Sequence, residues 1–106
     1  MFARVSTYQG PGGMSDEAVE EITHRTEETV LPVVREMGGY KGVFSLLDRH
    51  SGKALSITLW EDEEAMVASE EAAHQTRAQA ADIASELIGG VERFEVTFWE
   101  ISQERP

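Results

Sequence analysis

The sequence predicts an α+β fold in the order β-α-β-β-α-β, with a four-stranded antiparallel sheet and both helices on one face. Three observations carry that prediction. Two long stretches place apolar residues at helical steps of three and four, four stretches are alternating or rich in β-branched and aromatic residues, and glycine-rich or polar links separate them. No repeat or low-complexity tract competes with this order.

Phe2-Ala3-Arg4-Val5-Ser6-Thr7-Tyr8 reads as the first strand, ended by Gln9-Gly10-Pro11-Gly12-Gly13. From Ser15 or Asp16, the positions Val19, Ile22, Thr26, Val30, Val33 and Met37 form one helical stripe that runs to Gly38-Gly39. Pro32 must kink or divide this helix, because it removes a hydrogen bond and clashes with the preceding turn, leaving a short segment from Val33 to Met37. Tyr40 to Arg49 and Ala54 to Trp60 form a hairpin through His50-Ser51-Gly52-Lys53. Asp62-Glu63-Glu64 caps a second helix with the stripe Met66, Ser69, Ala73, Thr76, Ala80, Ile83 and Leu87, whose alanines imply close packing on the sheet. Gly89-Gly90 stops it. Val91 to Glu100 is the last strand, with Phe94, Val96 and Phe98 on one face. Together these elements predict a ferredoxin-like domain over residues 1–101 and a frayed tail over 102–106.

The 106 residues, 41% of them hydrophobic, suffice for one domain that buries roughly two thirds of its unfolded surface. Without cysteine the chain has no disulfide, thiolate metal site or cysteine nucleophile, and it suits a reducing compartment. Twenty acidic against nine basic residues give a net charge of -11, which repels phosphate backbones and anionic membranes. Neither nucleic acid nor membrane is an expected partner. No secretory pattern opens the chain and no apolar run approaches the roughly 20 residues of a bilayer span, so the expected location is cytoplasmic. Apolar side chains on the uncovered sheet face predict a homodimer, sheet against sheet.

Glu21-x-x-His24 and Glu71-x-x-His74 have the spacing of di-iron ligands. At about 100° per residue, however, His24 and Glu71 lie nearly opposite the apolar stripes and face water. No metal site is expected, and His50 reads as a turn residue. The acidic runs Glu27-Glu28, Glu61 to Glu64 and Glu70-Glu71 read as solvated helix faces. The third strand is more informative: Ala54, Ser56, Thr58 and Trp60 share one face and Leu55, Ile57 and Leu59 the other. A mixed polar face ending in an indole suits a small cavity better than a dry core. Arg4, Thr7, Tyr8, Tyr40 and Trp99 are candidates to line the same region. Met37 and Met66 read as adaptable core.

Val30-Leu31-Pro32-Val33-Val34-Arg35-Glu36-Met37, then Gly39-Tyr40-Lys41-Gly42, then Ile57-Thr58-Leu59-Trp60-Glu61-Asp62-Glu63-Glu64-Ala65-Met66 resemble the antibiotic biosynthesis monooxygenase family of dimeric α+β barrels. The resemblance covers nearly the whole chain. It implies use of molecular oxygen with no flavin, haem or metal cofactor, on phenols, quinols or anthrones that ionise to a carbanion. Other members of the family degrade haem, isomerise or have no known activity. In the aromatic-polyketide members, a Trp at the end of this strand and an Asn four residues earlier line the pocket; the corresponding residues here are Trp60 and Ser56. Haem-degrading members need an Asn on the first strand and a His soon after the Trp. This chain has no asparagine, carries Thr7 near the first position, and places His74 far along a solvated face, which disfavours haem degradation.

Two expectations follow. In the first, the protein is a cofactor-independent monooxygenase of small phenols or quinols, with Trp60 against the ring, Ser56 and Thr58 orienting its oxygens, and Arg4, Thr7 and Tyr8 completing the substrate site; no catalytic base is assigned. The second is a non-catalytic barrel that binds a small hydrophobic ligand or plays a structural role. A cavity reaching Trp60 and Ser56 supports the first, and packing filled by Phe44, Met66 and Trp60 supports the second.

Overall fold

A computed structural model describes residues 1–102 of the chain. The tail expected over 102–106 therefore lies, from 103 onward, outside the described residues. The elements are β1 (Phe2–Gln9), α1 (Asp16–Thr29), α2 (Leu31–Arg35), β2 (Tyr40–Leu47), β3 (Lys53–Trp60), α3 (Glu63–Ala68), α4 (Glu70–Ala84) and β4 (Leu87–Glu95). The sheet order is β2-β3-β1-β4 and every neighbouring pair is antiparallel, which is the ferredoxin-like arrangement.

Local chemistry explains most of the boundaries. The Ser15 hydroxyl accepts from Ala18 N–H at 3.2 Å and caps α1, whose first turn carries Asp16 and Glu17 at the positive end of the helix dipole. The division expected at Pro32 occurs at Val30, and Pro32 takes a first-turn position of α2, where its missing N–H costs no helical hydrogen bond. Gly39 (φ 79°) ends this helical stretch, and a Cβ there would lie 2.4 Å from that of Ala65. In the hairpin, the Asp48 carboxylate accepts from the N–H groups of His50 and Ser51, while Gly52 (φ 81°) turns the chain back. Asp62 caps α3 by accepting from Ala65 N–H at 2.8 Å.

Several expectations need correction. The second helix is not one rod to Leu87: it breaks at Ser69, where the Arg4 guanidinium from β1 donates both to Met66 O and to Ser69 Oγ. It ends at Ala84, not at Gly89-Gly90, because Ser85 adopts the left-handed conformation (φ 54°). β4 consequently begins at Leu87, four residues earlier than expected, and it stops at Glu95 because its partner β1 begins at Phe2. Val96 N–H extends the pairing by one bond, to Met1 O, and Phe98 stands 86% exposed beyond the sheet. The alanines of α4 pack closely only in part: Ala73 and Ala81 are buried. Ala80 and Ala84 instead face an open space between helix and strands.

Candidate functional site

Register fixes the two faces of the sheet. Arg4 pairs with Thr58, Ser6 with Ser56 and Tyr8 with Ala54, while Ser45 on β2 pairs with Ser56, so these side chains share the face beneath the helices. Three serines thus run side by side across β2, β3 and β1. Their small side chains, set against Thr76, Ala80 and Ala84 on α4 and Val19, Ile22 and Thr26 on α1, leave a cavity of about 470 Å³. That volume lies within the range of small-molecule sites, and its wall is mainly apolar with a few convergent polar groups.

Of the residues expected to form a site, Arg4, Tyr8, Ser56 and Thr58 line this cavity. Thr7 does not: it follows Ser6 on β1 and pairs with Leu55, on the opposite side of the sheet. Trp60 is not on the wall either. It is wholly buried at one end of the sheet, its Nε1–H donating to Thr58 Oγ1 at 3.0 Å, with Tyr40 edge-on at 6.2 Å and the Arg4 guanidinium 5.2 Å from its ring centre. The cavity therefore reaches Ser56 but stops short of Trp60. Phe44 and Met66 do not fill it, since Phe44 pairs with Ile57 on the outer face and Met66 is buried at the α3 end. Trp99 is exposed, and Tyr40 packs edge-on against Trp60 and does not line the cavity.

Arg4, 2% exposed, is held in place by its neighbours. Its Nη2 donates to Met66 O at 2.7 Å and to Ser69 Oγ at 2.9 Å and lies 3.2 Å from Glu70 Oε1, while its Nε is buried with no acceptor among the described residues. Burial draws the guanidinium's pKa down and Glu70 opposes that shift. Glu70 also receives Arg93 in a bidentate pair at 2.5 and 2.7 Å, and hydrogen bonding by Arg93 holds its carboxyl down at about 2, against burial.

The other end of the cavity carries three groups that are not among the sequence-predicted site residues: Ser6, Arg77 and Glu86. Burial pushes the Tyr8 phenol up, partly offset by Arg77 and by a hydrogen bond with Ser6 and reinforced by Glu86. Burial alone pushes the Glu86 carboxyl up. Glu86 reaches this position because left-handed Ser85 ends α4 and Glu86 N–H bonds back to Ala81 O at 2.8 Å. No pattern in the sequence marks that turn. Ser6 is legible, since alternation along β1 groups it with Arg4 and Tyr8 and sets Thr7 apart. His24 pairs with Glu28 on the exposed face of α1, His74 is exposed on α4, and no cluster of three or more possible metal ligands occurs among the described residues.

No protein-family model matches the chain. It is 32% identical over 102 residues to an uncharacterised protein of Mycobacterium tuberculosis, an alignment that takes in 96% of this chain and 41% of that protein. The chain thus spans about two fifths of the length of that relative. Among solved structures it is similar to the ActVA-Orf6 monooxygenase of Streptomyces coelicolor, solved with nanaomycin D, at a TM-score of 0.63 and 15% identity, covering 97% of this chain and 92% of the other. It is also similar to the heme-degrader MhuD of Mycobacterium tuberculosis, solved with two hemes in its active site, at a TM-score of 0.60 and 20% identity, covering 96% and 100%. The chain has their fold. The ferredoxin-like arrangement predicted from the order of elements is the one found, and at these identities the likeness speaks for architecture alone. No helix among the described residues is long and apolar enough to cross a membrane.

Proposed function

We propose that this domain is an antibiotic-biosynthesis-monooxygenase-like enzyme that oxygenates a small hydroxylated aromatic compound without a cofactor. One observation carries the reading: an apolar-walled cavity of about 470 Å³ holds a desolvated carboxyl, Glu86, near a phenol and a row of serine hydroxyls. A carboxylate whose pKa is raised by burial is a stronger base at neutral pH than one in water. It supplies the catalytic base that no motif in the sequence assigns.

In this reading the ring lies over Ser6, Ser45 and Ser56, against the aliphatic wall of α1 and α4. Glu86 takes the phenolic proton, and the Tyr8 and serine hydroxyls donate to the resulting oxyanion as its charge develops. The anion's electron density at the ring carbon reduces oxygen, a C–O bond forms there, and cleavage of the O–O bond releases water and leaves a quinone. For 1-naphthol, one ring compound and one O2 become one naphthoquinone and one water, with the substrate supplying all the electrons. Arg4 and Trp60 position the end of the sheet and do not touch the ring. A second copy of the chain covers the outer sheet face, where Phe44, Leu46 and Phe94 are exposed, and a cysteine-free chain suits the reducing interior of a cell.

The experiment is oxygen uptake by the purified chain on 1-naphthol, anthrone and dihydroxynaphthalenes, with Glu86→Gln and Ser56→Val beside the parent. Saturable uptake that falls in both variants, with a product that has gained one oxygen and lost two hydrogens, is the expected result. Saturable binding without turnover makes the domain a ligand binder instead. The absence of both leaves the cavity without a role in chemistry or binding.

A further inference from the structure

The chain carries 20 carboxylates for nine arginines and lysines, and of the two arginines on the cavity wall, Arg4 and Arg77, only Arg4 meets a carboxylate. Arg93 and Arg4 share Glu70, and Arg49 pairs with Asp16. Arg77, on the α4 wall, makes no ion pair among the described residues, and its Nη1 is buried with no hydrogen-bond acceptor there. Its own helix supplies none: the positions three and four residues away are Ala73, His74, Ala80 and Ala81. Glu86 lines the same cavity but lies beyond ion-pairing distance, and its carboxyl is raised by burial with no cation opposing the shift. Glu27, also on the lining, belongs to an exposed stretch of α1.

A guanidinium is permanently charged, and burying its Nη1 without an acceptor is costly unless an anion meets it. A phenol is neutral at pH 7 and becomes anionic only in passing, so it does not satisfy Arg77 in the resting complex. We propose that the ligand of this cavity is an aromatic hydroxy acid whose carboxylate is received by Arg77. The inference rests on the reading of the cavity as the ligand site and narrows the ligand from any phenol to an anionic one. The mixed lining suits such a molecule: aliphatic walls for the ring, hydroxyls and Glu86 for the phenol, and one unpaired cation for the acid. It also gives a use to an arginine that the reaction itself does not require.

The test compares 5-hydroxy-1-naphthoate with its methyl ester, titrated calorimetrically into the parent chain, Arg77→Met and Arg77→Lys, with melting curves to show that each variant is folded. The expected result is that the acid binds the parent at least tenfold more tightly than the ester, that Arg77→Met abolishes this preference, and that Arg77→Lys restores part of it. Equal or tighter binding of the ester to the parent overturns the anion inference and leaves the cavity as a site for neutral phenols. If neither compound binds and the phenol panel shows no turnover, both the inference and the reading beneath it fall. The comparison on the parent chain decides the point even if Arg77→Met does not fold.

Discussion

Beneath the helices, β1 and β3 present Arg4, Ser6, Tyr8, Ser56 and Thr58, whereas on the open side the same two strands present Ala3, Val5, Thr7, Leu55, Ile57 and Leu59. A domain that only fills its own core has the opposite pattern, apolar beneath the helices and polar outside. Here the enclosed face is small, polar and hollow, and the open face is mainly apolar, extended by Phe44 and Leu46 on β2 and Phe94 on β4. Burying a side chain of this size is worth about 1.5–3 kcal/mol, and the isolated chain forgoes part of that gain at each such position. Meanwhile the serine row gives up packing that leucines would supply. Both concessions make sense if each face meets something that is not part of this chain: a ligand inside and a protein surface outside.

The largest expected effect separates scaffold from site on the inner face. Trp60→Ala should cost about 3–5 kcal/mol, because a fully buried indole is lost together with its contacts to Arg4 and Tyr40. Trp60→Phe should retain most ligand affinity in whatever protein remains folded. Urea melts and ligand titration on the same samples check this, and a Trp60→Phe chain that is stable but does not bind would return the indole to the ligand site.

Next comes Glu86→Gln. Removing the base should lower turnover about 10²–10³-fold while raising the melting temperature at pH 7. The sign follows from burial: folding raises the Glu86 pKa, so the native chain holds more protons than the unfolded one as the pH climbs through the ordinary carboxylate range, and stability falls over that interval. Glutamine carries no charge to bury. Its stabilising effect should therefore vanish at about pH 4, where the parent carboxyl is protonated as well. A variant stabilised equally at both pH values would owe its gain to something other than charge.

On the outer face, Phe44→Glu should weaken self-association about 10–100-fold in sedimentation equilibrium without changing the fold, because it places a charge among Ile57, Leu46 and Leu55. A parent chain that is monomeric at high micromolar concentration would leave the aliphatic face needing another cover.

Much of this division between faces is legible in the sequence. Two-residue alternation on β3 separates Ser56, Thr58 and Trp60 from Leu55, Ile57 and Leu59, and the polar set is the one that borders the cavity. What alternation cannot supply is depth along the strand, so it groups Trp60 with Ser56 although Arg4 covers the indole and the cavity stops short of it. Thr7 is a different case: the same alternation rule sets it apart from Tyr8. Glu86 and Arg77 are out of reach. Their positions depend on where α4 ends and on how far it stands from the sheet, and a left-handed serine ahead of a carboxylate leaves no periodic trace.

The smallest effect concerns the end of the inner face that is filled rather than hollow. Glu70 sits between Arg4 and Arg93, and folding takes its pKa from 4.5 to about 2. Between those values the unfolded chain binds more protons than the native one, so this contribution is complete above pH 4.5 and is lost as the pH falls toward 2. Water reaches one side of the carboxylate and screens the pair, which brings the effect to about 1–2 kcal/mol. Glu70→Gln should therefore lower stability at pH 6 by that amount and have no further effect near pH 2, in urea melts at the two pH values. It should also loosen Arg4 over Trp60, because the buried guanidinium then keeps only Met66 O and Ser69 Oγ. If the Glu70→Gln chain keeps the parent's acid sensitivity, the clamp has no part in it, and the acid response belongs to carboxylates outside the inner face.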